Sequence, residues 1–109
     1  MIYLACPYSD PDRAVRVMRF EYANRAAAKL MREGAFVFSP ISHTHPIAEA
    51  GTLPGDWNYW RAYDTAMIAA CDKLIVLKAP GWDKSEGVLA EMEIAAEHGL
   101  PVALMEVAP

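Results

Sequence analysis

The stretch Gly81-Trp82-Asp83-Lys84-Ser85-Glu86-Gly87-Val88-Leu89-Ala90-Glu91 runs on to Gly99-Leu100-Pro101-Val102 and decides the fold. It predicts a turn, a helix over about residues 85–98 and then an apolar strand, which is the repeating unit of a parallel α/β sheet. Open sheets of this kind bind ligands at helix N-termini beside the carboxyl ends of their strands. We therefore expect the functional site near the start of this helix.

One carboxylate of this helix faces away from the others. At about 100° per residue, Glu86, Glu93 and Glu97 fall within roughly 40° of one another and form a solvated stripe. Glu91 lies on the side that faces the sheet, and Gly87, one turn earlier on nearly the same face, has no side chain to block a ligand. An inward carboxylate is unusual unless it is paired or used. Glu91 is therefore a candidate nucleophile, and the alternative is a rim glutamate bonded to backbone or to an arginine.

The rest of the chain repeats the alternation of strand and helix. With 109 residues it suits one domain, residues 1–109. The pattern predicts an α/β fold, a three-layer Rossmann-like or flavodoxin-like sandwich with a small parallel sheet. The predicted strands cover residues 2–6, 35–38, 73–77 and 102–105, the predicted helices residues 12–33, 57–71 and 85–98, and a long polar loop residues 41–56.

Composition excludes several function classes. The net charge of -4 argues against a nucleic-acid polymer as partner, because such a surface needs a basic patch. The two cysteines, Cys6 and Cys71, lie in apolar contexts without a C-x-x-C motif, which is typical of reduced core thiols. No apolar run is long enough to span a membrane. Because Met1 leads directly into a strand, we expect no signal peptide and a cytoplasmic protein.

The first loop, Cys6-Pro7-Tyr8-Ser9, leads into a helix N-terminus. Backbone N–H groups and the helix dipole favour an anion such as phosphate there, and Arg13 and Arg16 would add positive charge. The alternative is that Ser9 or Asp10 merely caps the helix. A G-x-G-x-x-G motif or P-loop is absent from the sequence, so classical dinucleotide or triphosphate binding has no direct support.

The helix predicted after the long loop carries a second inward carboxylate. Trp60 precedes Asp64 by four residues on the same face, where an aspartate can orient a ligand hydroxyl or hold a raised pKa. The alternative is a surface pair with Arg61 or Lys73. The aromatic cluster of Trp57, Tyr59 and Trp60 either stacks on a nucleobase or packs in a core or subunit interface.

Two histidines of the long loop, His43 and His45, raise the possibility of a metal. Catalytic zinc takes three protein ligands, and no third ligand lies nearby in the sequence, so a metal hydrolase is a remote alternative. Contact with a ligand or capping of Pro46 is the better interpretation. We therefore expect no metal and no organic cofactor.

Three segments resemble the nucleoside 2-deoxyribosyltransferase superfamily, which includes nucleotide N-glycosidases and small bacterial and phage proteins. The opening Ile2-Tyr3-Leu4-Ala5-Cys6-Pro7-Tyr8 is similar to the family's first strand, although Cys6 replaces the usual glycine. Asp64, followed by Cys71-Asp72 and an apolar strand, resembles a second family segment. Ser85-x-Gly87-x-x-x-Glu91, closed by Gly99-x-Pro101, resembles a third.

The resemblance implies roles for these residues. Glu91 would be the catalytic nucleophile, Asp64 a carboxylate that assists at the sugar and base, and Tyr3 and Tyr8 wall residues near the sugar. Ser85 stands where transferases often carry aspartate, and a serine tolerates a 5′-phosphate that an aspartate would repel. The candidate catalytic residues are thus Glu91, Asp64 and Tyr3, and the candidate substrate-binding residues are Tyr8, Ser9, Ser85, Gly87, Cys6, Pro7, His43 and Trp60.

The function that the resemblance implies is hydrolysis of the N-glycosidic bond of a (deoxy)nucleoside 5′-monophosphate through a glutamate nucleophile. Two alternatives stay open, a nucleoside 2-deoxyribosyltransferase and a non-catalytic nucleotide-binding module on the same scaffold. The expected partner is a small nucleoside or nucleotide, with neither a nucleic-acid polymer nor a membrane. Family precedent and the small core also lead us to expect a homo-oligomer with its site near a subunit interface.

Overall fold

Four short parallel strands form the centre of the molecule in a computed structural model that describes residues 1–107. The sheet order is β2-β1-β3-β4. The central pair is in register from Ile2 opposite Lys73 to Ala5 opposite Val76. The strands are β1 Ile2–Ala5, β2 Val37–Phe38, β3 Lys73–Leu77 and β4 Val102–Met105.

Helices cover both faces of the sheet. They are α1 Arg13–Arg32, α2 Pro40–Gly51, α3 Trp57–Ala69 and α4 Glu86–Glu97, with a 3-10 turn at Trp82–Lys84. Alternate residues of the strands point to opposite faces, so the sheet divides the core into two clusters. Tyr3 and Val76 pack in the cluster that contains residues of α3 and α4. Leu4 and Leu77 pack in the cluster that contains residues of α1 and α2. The predicted three-layer α/β sandwich is confirmed.

Side chains before the helices explain where two of them begin. The Ser85 hydroxyl accepts a hydrogen bond from the Val88 N–H and caps α4, as an N-cap serine does. Asp12 caps α1 by accepting from the Ala14 N–H over 2.9 Å. The alternative that Ser9 or Asp10 caps α1 is therefore wrong. Ser9 instead donates to the Gly55 carbonyl over 2.6 Å.

The predicted long loop over residues 41–56 is wrong, because most of it is the helix α2. Ser39 caps this helix and Pro40 occupies its first turn, where a missing N–H costs nothing. The Thr44 hydroxyl donates to the Pro40 carbonyl over 2.7 Å. Pro46 lies inside the helix despite its low helix propensity. Burial of Ile41 and His45 on this helix supplies the tertiary stabilisation that local propensity lacks.

The remaining boundaries differ from the sequence prediction by a few residues. Strand β2 is two residues long instead of four, and α3 ends at Ala69 instead of residue 71. Strands β3 and β4 have the predicted bounds. Every helix within residues 1–107 is either too short or too polar to cross a bilayer.

Gly99 ends the helix that carries Glu91, and its φ of 71° is in the left-handed region. A Cβ at this position would meet no atom within 4 Å, so replacement by alanine tests backbone conformation alone. We expect Gly99→Ala to destabilise the protein by about 1 kcal/mol, measured by urea unfolding. Gly51→Ala is the matched control, because Gly51 lies within α2 without a positive φ and its added Cβ would make ordinary contacts. Equal midpoints for the two variants would contradict the expectation.

Candidate active site

A cavity of about 400 Å³ opens at the carboxyl ends of the strands. Segments that follow β1, β2 and β3 line it, together with one side of α3 and the N-terminal half of α4, which is where a parallel sheet places its ligands. Its lining includes Cys6, Tyr8, Ser9, Arg19, Thr44, His45, Trp57, Trp60, Asp64, Lys84, Ser85, Gly87 and Glu91.

Two buried carboxyl groups line this cavity, one from each helix on the same face of the sheet. Glu91 is 5% exposed and Asp64 is 9% exposed. The hydroxyl of Tyr3, a fully buried residue of the central strand β1, donates a hydrogen bond to Glu91 Oε2. Asp64 is thus a buried residue, and no ion pair within the described residues joins it to Arg61 or Lys73. The surface-pair alternative for Asp64 and the rim alternative for Glu91 are both wrong.

Burial makes both carboxyl groups weaker acids than exposed carboxyl groups are. Burial raises the pKa of Glu91 to about 8, the hydrogen bond from Tyr3 opposes this rise, and the nearby Asp64 adds to it. Burial also raises the pKa of Asp64 to about 6, while the Tyr3 hydroxyl lowers it. The two groups interact through one phenol, so they titrate as a pair. Perturbed carboxyl groups in a cleft are typical of acid–base or nucleophilic sites.

The N-terminus of α4 places Ser85 and Gly87 beside these carboxyl groups. Both residues line the cavity, as does Trp57 of α3. A Cβ on Gly87 would lie 3.6 Å from Trp57 Cε3 and 3.9 Å from Ser85 Oγ. Gly87 therefore brings the start of α4 close to the Trp57 ring, and an alanine here would make ordinary contacts.

The residues of the first loop, 6–9, lie partly in the core and partly at the cavity. Cys6, Tyr8 and Ser9 line the cavity, whereas Pro7 is fully buried and is not among the lining residues. Burial raises the pKa of the Cys6 thiol to about 12, so this thiol stays protonated. Cys6 and Cys71 are both unpaired and buried.

The two histidines of α2 have different surroundings. His43 is exposed, lies between the rings of Phe38 and Tyr63 at 5.8 and 6.4 Å, and is not among the cavity-lining residues. His45 is buried, lines the cavity and stacks on Phe20 at 4.4 Å. Within residues 1–107, no three histidine, cysteine, aspartate or glutamate side chains are grouped so as to hold a metal ion.

Aromatic side chains of α3 form one side of the cavity mouth. Trp60 lines the cavity, and its indole N–H donates to the Pro54 carbonyl over 2.7 Å. Tyr59 and Tyr63 pack against Trp60 edge to face, at 5.0 and 5.8 Å. The hydrogen bond and both neighbours fix the indole plane, which suits a stacking surface.

The basic residues at the cavity are not those that the sequence suggested. Arg13 forms an ion pair with Glu49 at 2.7 Å, and Arg16 donates to the Asp10 carbonyl at 2.6 Å. Arg19, one turn further along α1, lines the cavity together with Lys84.

Arg19 and Lys84 were missed by the sequence analysis, and His45 was considered there only together with His43. Arg19 continues the three-residue spacing of Arg13 and Arg16 along α1. His45 follows Ile41 by four residues, but that spacing has meaning only once the segment is known to be helical. Lys84 directly precedes Ser85 and gave no separate signal.

The raised pKa of Glu91 predicts that the free energy of unfolding falls as the pH rises. Its folded pKa of about 8 exceeds its ordinary value of 4.5, so the stabilisation is complete below pH 4.5 and is lost as the pH rises through 8. The loss is on the order of 1 kcal/mol per pH unit between these two pKa values. We expect Glu91→Gln to remove this slope and to be more stable than the wild type at pH 8. Urea unfolding of both proteins between pH 4 and 9 measures the free energy of unfolding as a function of pH.

The exposed Glu93, on the same helix, provides the control. Glu93→Gln should keep the slope of the wild type, because the Glu93 side chain is in solvent in the folded protein as in the unfolded chain. Parallel stability curves for wild type and Glu91→Gln would contradict a buried, weakly acidic Glu91.

Comparison with known proteins identifies the family of this chain. No curated protein matches the chain. Residues 1–107 match the family described as a domain of unknown function, DUF1937, and this match includes every cavity-lining residue named above. The chain therefore belongs to the DUF1937 family.

Proposed function

We propose that this protein cleaves the N-glycosidic bond of a (deoxy)nucleoside 5′-monophosphate, with Glu91 as the nucleophile. The observation that carries the proposal is the pair of buried carboxyl groups, Glu91 and Asp64, that line one cavity. The hydroxyl of Tyr3, which is buried behind the lining, donates a hydrogen bond to Glu91. Most enzymes that hydrolyse glycosidic bonds use a pair of carboxyl groups. The resemblance to the nucleoside 2-deoxyribosyltransferase superfamily assigns the same residues and supports the proposal.

In the first step, a carboxylate oxygen of Glu91 attacks C1′ of the sugar. The C1′–N bond breaks, and its electron pair leaves with the base. The Tyr3 hydroxyl bonds Oε2, which supports the ionised form of Glu91 and fixes the orientation of its carboxylate. Positive charge that develops on the sugar stabilises the buried anion further.

Asp64 completes the proton balance. It gives its proton to the departing base, and in the second step it accepts a proton from the water that attacks C1′. That attack breaks the glycosyl ester and restores the Glu91 carboxylate. Between about pH 6 and pH 8 the pair holds one proton. The higher pKa of Glu91 keeps that proton mainly on Glu91 in the free protein. The reactive form is the minor one, in which Glu91 is ionised and Asp64 carries the proton.

The walls of the cavity support a nucleotide as the substrate class. Trp60 offers a fixed indole for stacking on a base. Ser85 accepts from the Val88 N–H, which leaves its hydroxyl proton available to an anion at the start of α4. Lys84 and Arg19 add positive charge at the same cavity. A 5′-phosphate fits this side of the cavity better than a neutral hydroxymethyl group does.

The decisive experiment uses a panel of nucleosides and nucleoside 5′-monophosphates, each with and without an acceptor base. We expect free base to be released, with kcat/KM for monophosphates at least about tenfold above that for nucleosides. Glu91→Gln should abolish the release, since an amide is no nucleophile for C1′. Chromatography of the free base measures both outcomes.

Glu93→Gln again serves as the control and should keep wild-type rates. Base exchange without hydrolysis, with equal rates for nucleosides and monophosphates, would favour the transferase. Nucleotide binding without base release would favour a non-catalytic module. Wild-type turnover in Glu91→Gln would remove the proposed nucleophile.

Asp64→Asn tests the proton donor. We expect kcat to fall by about 10²-fold, the usual scale for the loss of acid–base assistance. The negative charge of Asp64 raises the pKa of Glu91, so its removal lets Glu91 ionise at lower pH. The acidic limb of the kcat/KM profile should therefore move to lower pH. The exposed Asp83, which is not among the cavity-lining residues, gives the control Asp83→Asn. A folded Asp64→Asn protein with an unchanged rate and profile would contradict the role.

A further inference from the structure

A chain of polar contacts leads from the protein surface to Tyr8 at the cavity. The Tyr8 hydroxyl lies 2.5 Å from Nδ1 of His45. On the other side of the ring, His45 Nε2 lies 3.5 Å from Glu49 Oε1, and the same oxygen lies 2.7 Å from the Arg13 guanidinium. His45 is 6% exposed and stacks on Phe20, so its ring is held in one orientation.

Tyr8 is positioned where two cavities meet. It lines the cavity that contains Glu91 and also a second one of about 530 Å³. Ser9, Ala48, Gly55 and Asp56 likewise line both. A ligand that extends from the first cavity toward the second therefore passes the Tyr8 side chain.

The neighbours of His45 determine which way the Tyr8 hydroxyl points. The Glu49 carboxylate favours a proton on Nε2, which leaves Nδ1 as an acceptor. The guanidinium of Arg16 lies near enough to the Tyr8 hydroxyl to lower its pKa, against the larger effect of burial, which raises it. A guanidinium can only donate, so the phenolic O–H is directed away from Arg16. Both neighbours favour a hydrogen bond that Tyr8 donates to His45.

We infer that His45 is a positioning residue that makes the Tyr8 oxygen a hydrogen-bond acceptor, so that the junction of the two cavities selects a hydroxyl or amino group of the ligand. The identity of the ligand in this inference rests on the proposed function. The direction of the Tyr8–His45 hydrogen bond rests on the positions of the neighbouring groups and does not depend on that function. Protonation of His45 reverses the direction, because both ring nitrogens then donate and the Tyr8 hydroxyl turns toward the cavity.

The charged groups around His45 come from two helices. Glu49 of α2 favours its protonated form, while Arg13 and Arg16 of α1 oppose protonation. Burial is the largest effect and lowers the pKa of His45 below its ordinary value. The neutral ring therefore predominates at pH 7. The direction of the Tyr8–His45 hydrogen bond reverses only in acidic solution, where His45 is protonated.

Nitrogen-15 NMR of the imidazole tests the hydrogen-bond direction without any turnover. At pH 7.5 we expect His45 to be neutral with its proton on Nε2. Glu49→Gln should shift the ring toward a mixture of tautomers, whereas Glu33→Gln, on an exposed residue near Lys29, should not. A proton on Nδ1 in the wild type, or a doubly protonated ring at pH 7.5, would overturn the inference.

Two variants test the consequence for recognition. In His45→Asn the amide oxygen replaces Nδ1 as an acceptor, and in His45→Leu the acceptor is lost. For the best nucleotide of the panel, we expect KM to rise about threefold to tenfold in His45→Leu, the scale of one neutral hydrogen bond, with kcat nearly unchanged. His45→Asn should restore KM. In the wild type KM should rise in acidic solution, at a pH below the ordinary histidine pKa of 6.5, and that rise should be absent in His45→Asn.

The outcomes separate the two proposals. A wild type that releases no base from any nucleotide, with the His45 proton on Nε2, would overturn the proposed function and leave the hydrogen-bond direction standing. A wild type that releases base, with KM equal in His45→Leu and His45→Asn, would overturn the recognition role and leave the nucleophile standing.

Discussion

The hydrogen bond from Tyr3 to Glu91 joins the central strand of the sheet to a helix of one outer layer, deep inside the core. A carboxyl group can be buried there because the phenol satisfies one of its oxygens. Asp64 approaches the same hydroxyl from the neighbouring helix. The packing of β1, α3 and α4 thus brings three polar groups together at the wall of the cavity.

The sequence permits the prediction of this half of the molecule because its signals are local. Glu91 differs in phase from Glu86, Glu93 and Glu97 along one helix, and helical phase needs no tertiary information. The strand over Lys73–Leu77 is an apolar run bounded by polar residues, so its limits are predicted correctly. Ser85 and Gly99 mark the two ends of α4 by capping and by a left-handed turn.

The other half could not be predicted in the same way. Pro46 and Gly51 favour a loop by their intrinsic propensities, whereas the chain forms a helix there through the burial of Ile41 and His45. The pairing of Tyr8 with His45 joins residues 37 positions apart and depends on that helix. For this reason His43, which is conspicuous in the sequence, lies outside the cavity lining, and His45 lies in it.

The division of the core by the sheet has a consequence for how this scaffold can diversify. Tyr3 and the helices that carry the two carboxyl groups belong to one cluster, while Tyr8 and Ile41 pack with the other. The four-stranded sheet lies between the two clusters, and contact of α2 with the Tyr3 side is made by His43, which lies near Phe38 and Tyr63. The α2 side of the cavity, with Ile41, Thr44 and His45, lies on the other layer from the two carboxyl groups. A related chain can therefore change the ligand contacts made by α2 while it keeps the carboxyl pair.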